Sequence, residues 1–384
     1  MNGALSGLRV LDFTTTIAGP HCTRLLADLG AEVVKIEAPD GDMMRTRPPL
    51  RNGASTSFGQ LNAGKKSITL DLKAPAAVEA VRRLVATADV VVENFRPGVM
   101  RRFGLDYEAL RPVKPDLVYC AISGYGQTGP SAELPAYAPV IHAASGYDLA
   151  HMAYQGAARR PDYCGIYIAD VLTGTYAFGA IVSALYQRQA TGEGQMIDVS
   201  MLESMLTLTL SEIQAAQFAV TPPGRPIFGP VATKDGYINL SIASERTFDN
   251  LAAASGHLHW RTDPRFAEYT KRRANWGGLI DELECWSTQL TTAEVQAVFD
   301  RHGVPSSPYR TVKEAMADPQ TAHRHSFTAV EDAGGTFLAI NPPFHMTAAA
   351  PAARPFVAAL GEHTRELLAE VGYTPTEIAG LHGR

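Results

Sequence analysis

The chain reads as an α/β protein built on an open parallel sheet, and three observations carry that expectation. β-like runs alternate with helix-like stretches through the first two hundred residues. Those runs are apolar along their whole length rather than at every second position, as strands covered on both faces are. The first two of them flank a stretch of helical spacing, which makes a βαβ unit, and parallel strands joined this way bind ligands beyond their carboxyl ends.

Taken in order, "LRVLDF" (residues 8–13) is the first strand and "TTTIAGP" its exit loop. "HCTRLLADLG" then has helical spacing, with Pro20 near its first turn and Gly30 after its end. "AEVVKIE" resumes strand, "KSITLDL" is a third strand, residues 74–88 form a helix, "DVVVENF" is a buried strand and "PDLVYCAIS" another. Short helical stretches containing "MRRFG" and "YEALR" separate the last two. The glycine-rich turn "SGYGQTGP" leads to a helical "PVIHAAS", and a long segment of small and apolar residues opens with Asp170, followed by the turn "ATGEGQ", the strand "QMIDVS" and a helix. From Thr221 the texture changes. "TPPGRPIFGP" is a linker, and "DGYINLSIAS" with the helices behind it is a smaller α+β unit ending near "GVPSSPYR". The domains expected are therefore 1–220, 221–315 and a C-terminal stretch 316–384, whose "LGEHTRELLAEVGYTPTEIAGL" reads as amphipathic helix with a capping pattern inside it.

Composition excludes several classes. A chain of 384 residues with 46% hydrophobic residues buries a large core, and a net charge of −5 gives no reason to expect a nucleic-acid partner. Cys22, Cys120, Cys164 and Cys285 form no CxxC pair, so neither a zinc knuckle nor a disulfide framework is expected, and the cytoplasm is the expected compartment. The N-terminus lacks a leader pattern, and no uncharged run reaches the roughly 18 apolar residues of a membrane span. The pairs "HLH" and "HRH" lack a carboxylate or Cys to complete a metal set, so no metal is expected.

Three features carry candidate chemistry. The first exit loop would aim free N–H groups at a phosphate, but it has one glycine where the dinucleotide fingerprint needs three, which argues against a nicotinamide enzyme. Arg45, Arg47, Arg51, Arg96, Arg101 and Arg102 cluster near strand ends, where guanidinium groups hold phosphate or simply solvate a face. Asp170 reads either as a first-turn acid favoured by the helix dipole or as a nucleophile toward an activated acyl group, and the two roles are compatible.

Eight ordered blocks between Leu5 and Tyr373 then resemble one family. They are "LSGLRVLDFTTTIAGPHCTRLLADLGAEVVKIEAPDGD", "LNAGKKSITLDLK", "ADVVVENFRPGVMRRFGLDYEAL", "YCAISGYGQTGP", "TGEGQMIDVSMLES", "DPRF", "GVPSSPYRTVKEAMADP" and "LGEHTRELLAEVGY". The family is that of the family III CoA-transferases, the group containing formyl-CoA:oxalate and carnitine CoA-transferases and α-methylacyl-CoA racemase. The resemblance implies a Rossmann-like large domain taking both chain ends, an inserted smaller α+β domain, and an interlocked homodimer. It implies no tightly bound cofactor, with coenzyme A and acyl-CoA as substrates, an acyl-CoA donor and a carboxylic acid acceptor. Asp170 matches the family's nucleophile, which forms aspartyl anhydride and aspartyl-CoA thioester intermediates and needs no raised pKa. Ile17, Ala18, Leu72, Lys73, Asn94, Phe95, Arg96 and Arg102 match its CoA-binding positions.

Departures from the family pattern are also legible. Where racemases of the family carry a His-Asp pair, this chain has Tyr137 and Ala138, so Tyr137 is the transferase-like choice at a substrate-site position. His142 and His151 lie nearby and keep a 2-methylacyl-CoA racemase as the alternative, with Asp170 then an acid/base residue; a non-catalytic CoA-binding protein is the third reading. The glycine-rich loop of some oxalate-using members is missing from "GPVATKDGYINLSIASERTF", which argues against a small dicarboxylate such as oxalate as the acceptor. Arg159, Arg160, Glu245 and Arg246 are further candidates for lining the site.

Overall fold

The alternation of apolar strands and helices folds as the expected parallel sheet. In the computed structural model, which describes residues 3–155, 160–162, 164–218 and 228–381, the first strands are β1 (Arg9–Asp12), β2 (Glu32–Glu37), β3 (Leu50–Arg51), β4 (Ala54–Ser55), β5 (Lys66–Thr69), β6 (Val90–Glu93), β7 (Val118–Ser123) and β8 (Gln195–Ser200). All but the short antiparallel pair β3 and β4 align in the order β5-β2-β1-β6-β7-β8, every neighbouring pair parallel. The winding direction reverses between β1 and β6, and a ligand crevice is expected outside the carboxyl ends of those two strands.

Both faces of the sheet are covered, which is why its strands read as continuous apolar runs. Leu11, Val34, Ile68, Val91 and Tyr119 point into one core, shared with the helix Pro75–Val85 and with Leu367, Leu368, Ile378 and Leu381 of the C-terminal helices. Val10, Val33, Val90, Val92 and Val118 point into another, closed by the first helix (Ala18–Asp28) and the long helix (Ile168–Thr191). The first helix stops at Leu29, followed by Gly30 at φ 106°, a conformation that favours glycine. By length and composition the long helix is apolar enough to cross a membrane. Here its Ala177, Ile181, Ala184 and Leu185 pack on the sheet, while Val171, Tyr176 and Tyr186 are exposed.

The described residues divide into two compact units, one drawn from 3–152, 160–218 and 320–381, the other from 153–155 and 228–319. The first contains the six-stranded sheet and an antiparallel hairpin, which follows the strands of the second unit in the chain. The second unit is built on β9 (Phe228–Ala232), β10 (Tyr237–Ser241) and β11 (Ser306–Pro308), antiparallel in the order β11-β10-β9, over a core of Phe248, Trp260, Phe266, Trp276 and Phe299. The hairpin of the first unit is β12 (Phe327–Asp332) and β13 (Gly335–Ile340), turned at Gly335 with φ 100°. Of its strand residues only Val330 and Ala339 are buried, which leaves little apolar alternation to mark it in the sequence. The C-terminal segment also differs from the single amphipathic helix expected. It is two helices, Thr364–Glu370 and Pro375–Leu381, separated at Gly372 (φ 88°), with Thr374 and Glu377 exchanging the reciprocal bonds of a capping box. The linker opening at Thr221 lies mostly outside the described residues.

Candidate active site

The crevice at the reversal point is built on a loop that three separate clamps hold. β1 ends at Asp12, which is fully buried; its Oδ1 accepts the Thr14 N–H at 2.9 Å and its Oδ2 accepts the Thr23 hydroxyl at 2.7 Å and the Lys65 ammonium at 3.0 Å. Burial opposes ionisation of Asp12, but the charges of Lys65 and Lys35 outweigh it and hold the carboxyl below its usual range. Lys35 donates to the Thr14 carbonyl at 2.6 Å and pairs with Asp42 at 3.1 Å. Asn94, at the end of β6, closes the third clamp. Its Oδ1 accepts the Thr15 N–H and its Nδ2 donates to the Thr15 carbonyl, both at 2.8 Å. Between these fixed points Thr16 adopts φ 70°, an uncommon conformation for a residue with a side chain, which the clamps over-determine.

The loop delivers the N-terminus of the first helix to the long helix. Gly174 makes the approach close: a Cβ there would lie 2.4 Å from the Ala18 carbonyl oxygen. One consequence is that the Asp170 carboxylate, in the first turn of the long helix, lies beside the Ala18 N–H, whose dipole favours its ionised form. Burial pushes the Asp170 carboxyl up to about 6, with the Ala18 N–H pulling the other way. This corrects the expectation of an unraised acid: the helix dipole does not cancel the cost of taking the carboxylate out of water, although the group stays mainly ionised at neutral pH. The long helix has no cap from its own side chains; instead the buried His142 accepts the Ala169 N–H at Nε2, 3.1 Å away.

Three adjoining cavities run along this edge of the sheet. The first, of about 270 Å³, is mainly apolar and lined by Thr15, Leu70, Leu72, Lys73, Phe95 and Phe103 among others. The second, about 210 Å³, shares Thr15 and Phe95 with it and adds Ala18, Asn94, Arg96, Ser123, Tyr137 and Asp170. The third, about 390 Å³, shares Thr16, Tyr137 and Asp170 with the second and adds Ile17, Met44, Arg47 and Tyr167. Asp170 therefore sits where the second and third meet.

Most residues singled out from sequence gather here: Leu72 and Lys73 in the first cavity, Ala18, Asn94, Phe95 and Arg96 in the second, Ile17 and Tyr137 in the third. Arg102 is the exception, being exposed and lining none of the three, though Val99 and Phe103 of its short helix line the first. Of the arginine cluster, Arg45 pairs with Glu37, Arg51 with Asp332 and Arg101 with Asp106. Asn94 has its side-chain amide committed to Thr15, so it shapes the loop. His142 is spent as a helix cap, and Glu245 pairs with Arg272 within the second unit. Arg159 lies outside the described residues. The sequence reading passed over Thr15, Thr16, Tyr167 and Ser123, whose buried hydroxyl has no partner among the described residues. Only the first two carried a signal, as the exit loop of the first strand at a reversal point.

Comparison with known proteins follows this geometry. Residues 5–364 match the model of CoA-transferase family III. The chain is 32% identical to the succinate–glutarate CoA-transferase of Agrobacterium fabrum over 96% of its length and 95% of that protein. It is 36% identical to the acetyl-CoA:oxalate CoA-transferase of Acetobacter aceti over 88% of each. A crystal structure of a CAIB/BAIF family protein from Brucella suis superimposes with a TM-score of 0.85 at 33% identity, covering 97% of this chain and all of that one.

Proposed function

This chain belongs to CoA-transferase family III, and from that premise we propose that it moves CoA from an acyl-CoA donor to a carboxylic acid acceptor through covalent intermediates on Asp170. The observation that carries the reading is the position of Asp170: a half-buried carboxylate, beside the Ala18 N–H, at the meeting point of two cavities beyond the strand ends.

The chemistry follows from that placement. An Asp170 oxygen attacks the thioester carbonyl; the tetrahedral adduct collapses, expelling CoA thiolate and leaving an acyl aspartyl anhydride. The thiolate then attacks the Asp170 carbonyl carbon, releasing the donor's acid as its carboxylate and leaving an aspartyl-CoA thioester. The acceptor carboxylate displaces the thiolate to give a second anhydride, and the thiolate takes the acceptor's acyl group, restoring the Asp170 carboxylate. Each step passes through an oxyanion, and the Ala18 N–H beside the Asp170 carboxyl is placed to favour the adducts formed at the Asp170 carbonyl carbon.

CoA is read along the three cavities, with Leu72, Lys73 and Phe95 enclosing its adenosine end and Arg96 beside the reacting end. The expected Rossmann-like domain with an inserted smaller unit, the cytoplasmic location and the homodimer belong to the same proposal; the exposed Val171, Tyr176 and Tyr186 of the long helix support a partner subunit. The relatives named above act on succinate, glutarate and oxalate, so oxalate returns to the acceptor panel despite the missing glycine-rich loop. A racemase would need a second base opposite Asp170, and His142 already uses Nε2 on Ala169.

The test is a pair of incubations. Acyl-CoA with a panel of carboxylic acids is followed for new thioesters, and a chiral 2-methylacyl-CoA in deuterated water is followed for α-deuterium. New thioesters without α-exchange are expected; α-deuterium with no new thioester from any acid would refute the transferase reading.

A further inference from the structure

The helix that carries Asp170 begins with little to hold it. The chain entering it, residues 164–167, is exposed, and of its first turn, residues 168–171, only Ala169 is buried. Packing takes over further along, where Gly174 meets the first helix and Ala177 and Ile181 lie on the sheet. The first N–H groups of a helix have no partner within it. Ile168 donates back to the Ile166 carbonyl at 2.9 Å, and the next N–H, that of Ala169, donates to His142 Nε2 at 3.1 Å, 27 positions away in the chain. His142 lies on the short helix Ala138–Ala144, is 1% exposed and has the Tyr147 ring 5.8 Å away. Ala169 is fully buried in a cluster with Ala138, Ile141, Met201 and Met205, so its N–H is shut off from solvent and depends on the imidazole as acceptor. An accepting Nε2 carries a lone pair, which puts the ring's proton on Nδ1 and leaves the ring uncharged.

We propose that His142 is a positioning residue for acyl transfer: by accepting the Ala169 N–H it fixes the first turn of the long helix, and with it the direction in which the neighbouring Asp170 carboxylate meets the thioester. In this role His142 touches neither substrate nor reacting atoms. The proposal rests on the reading of Asp170 as the nucleophile. What it adds is that the precision of attack comes from a contact outside the three cavities, made by a neutral acceptor rather than by an acid or base. Without that acceptor the turn frays, as helix ends with few buried contacts do, and a nucleophile displaced by about 1 Å loses roughly a hundredfold in rate. Binding of CoA, which lies along the cavities, is not altered by the contact.

Two variants separate the acceptor from the bulk of the side chain. His142→Met fills much of the same space without a comparable acceptor, and His142→Gln returns one, its Oε1 reaching about as far from the backbone as Nε2. Each is compared with the parent for kcat with succinyl-CoA and the fastest acid of the panel above, for CoA affinity by calorimetry, and for amide hydrogen exchange at the start of the long helix. His142→Met should lower kcat roughly 10- to 100-fold and speed exchange at Ala169, with CoA affinity little changed. His142→Gln should recover most of the rate and of the protection. A methionine variant that keeps the parental kcat, or a glutamine variant as slow as the methionine one, would overturn the proposal. If His142→Met loses CoA binding outright, the glutamine variant decides: a parental rate upholds the acceptor role and a slow enzyme overturns it. A parent that makes no new thioester from any acid removes the transferase reading and the claim about transfer with it, whereas an active parent matched by its methionine variant overturns the role of His142 alone.

Discussion

At the scale of single residues the account turns on Asp170 and on how much its surroundings cost. Asp170→Asn should lower transfer by several orders of magnitude while CoA affinity, measured by calorimetry, changes little, because the amide cannot attack a thioester but fills the same space. Burial raises the Asp170 carboxyl from 3.8 to about 6, and only the ionised form attacks. The pH profile of kcat/KM should therefore fall about tenfold per unit below about pH 6 and level off above it; a profile flat to pH 5 would remove Asp170 as the ionising group. The same shift has a stability consequence of fixed sign. An acid whose folded pKa is raised holds its proton longer than the unfolded chain does, so folding takes up a proton between about pH 4 and 6 and stability declines as pH rises through that window. Thermal melts should show Asp170→Asn gaining on the parent above pH 6, with the gain shrinking toward pH 4.

Elements set the precision with which that carboxylate is held. Gly174 and Gly179 lie five positions apart on the long helix and behave oppositely when a Cβ is added: at Gly174 it meets the Ala18 carbonyl at 2.4 Å, at Gly179 it meets nothing within 4 Å. Gly174→Ala must push the first helix away, so it should cost about 1–3 kcal/mol in urea unfolding and lower kcat by moving the Ala18 N–H away from Asp170. Gly179→Ala should be neutral or stabilising by up to about 1 kcal/mol. The Asp12–Lys65 pair is the second lever. Lys65→Met leaves a buried carboxylate with one cation fewer and should cost about 3–5 kcal/mol, and Asp12→Asn added to it should recover part of that loss. Full destabilisation in the double variant would mean that packing, not charge, holds the exit loop. The small residues at Gly174, Ala177, Ala180 and Ala184 already pointed to a closely packed helix, but the second lever was not legible from sequence: Asp12 and Lys65 are 53 positions apart, and a lysine in "AGKKS" reads as surface until the fold buries it.

Across the whole molecule, legibility followed periodicity. The parallel sheet, its two covering layers and the region of the active site could be read because buried strands and amphipathic helices leave unbroken apolar patterns, and because a reversal in winding places ligands at one edge. The β12–β13 hairpin, with two buried side chains, left no such pattern, and nothing in "MMRTRPP" distinguished Arg47, which has no ion-pair partner among the described residues, from Arg45, which is spent on Glu37. Light scattering should give twice the mass of the 384-residue chain, in line with the uncovered apolar face of the long helix. The central claim is that acyl transfer passes through this one carboxylate, and the most direct measurement is mass spectrometry of the protein quenched during turnover with succinyl-CoA. The account predicts a CoA adduct that maps to the peptide carrying Asp170, disappears on treatment with hydroxylamine and is absent from Asp170→Asn. Rapid transfer with no adduct on that peptide, or an adduct that persists in Asp170→Asn, would contradict it.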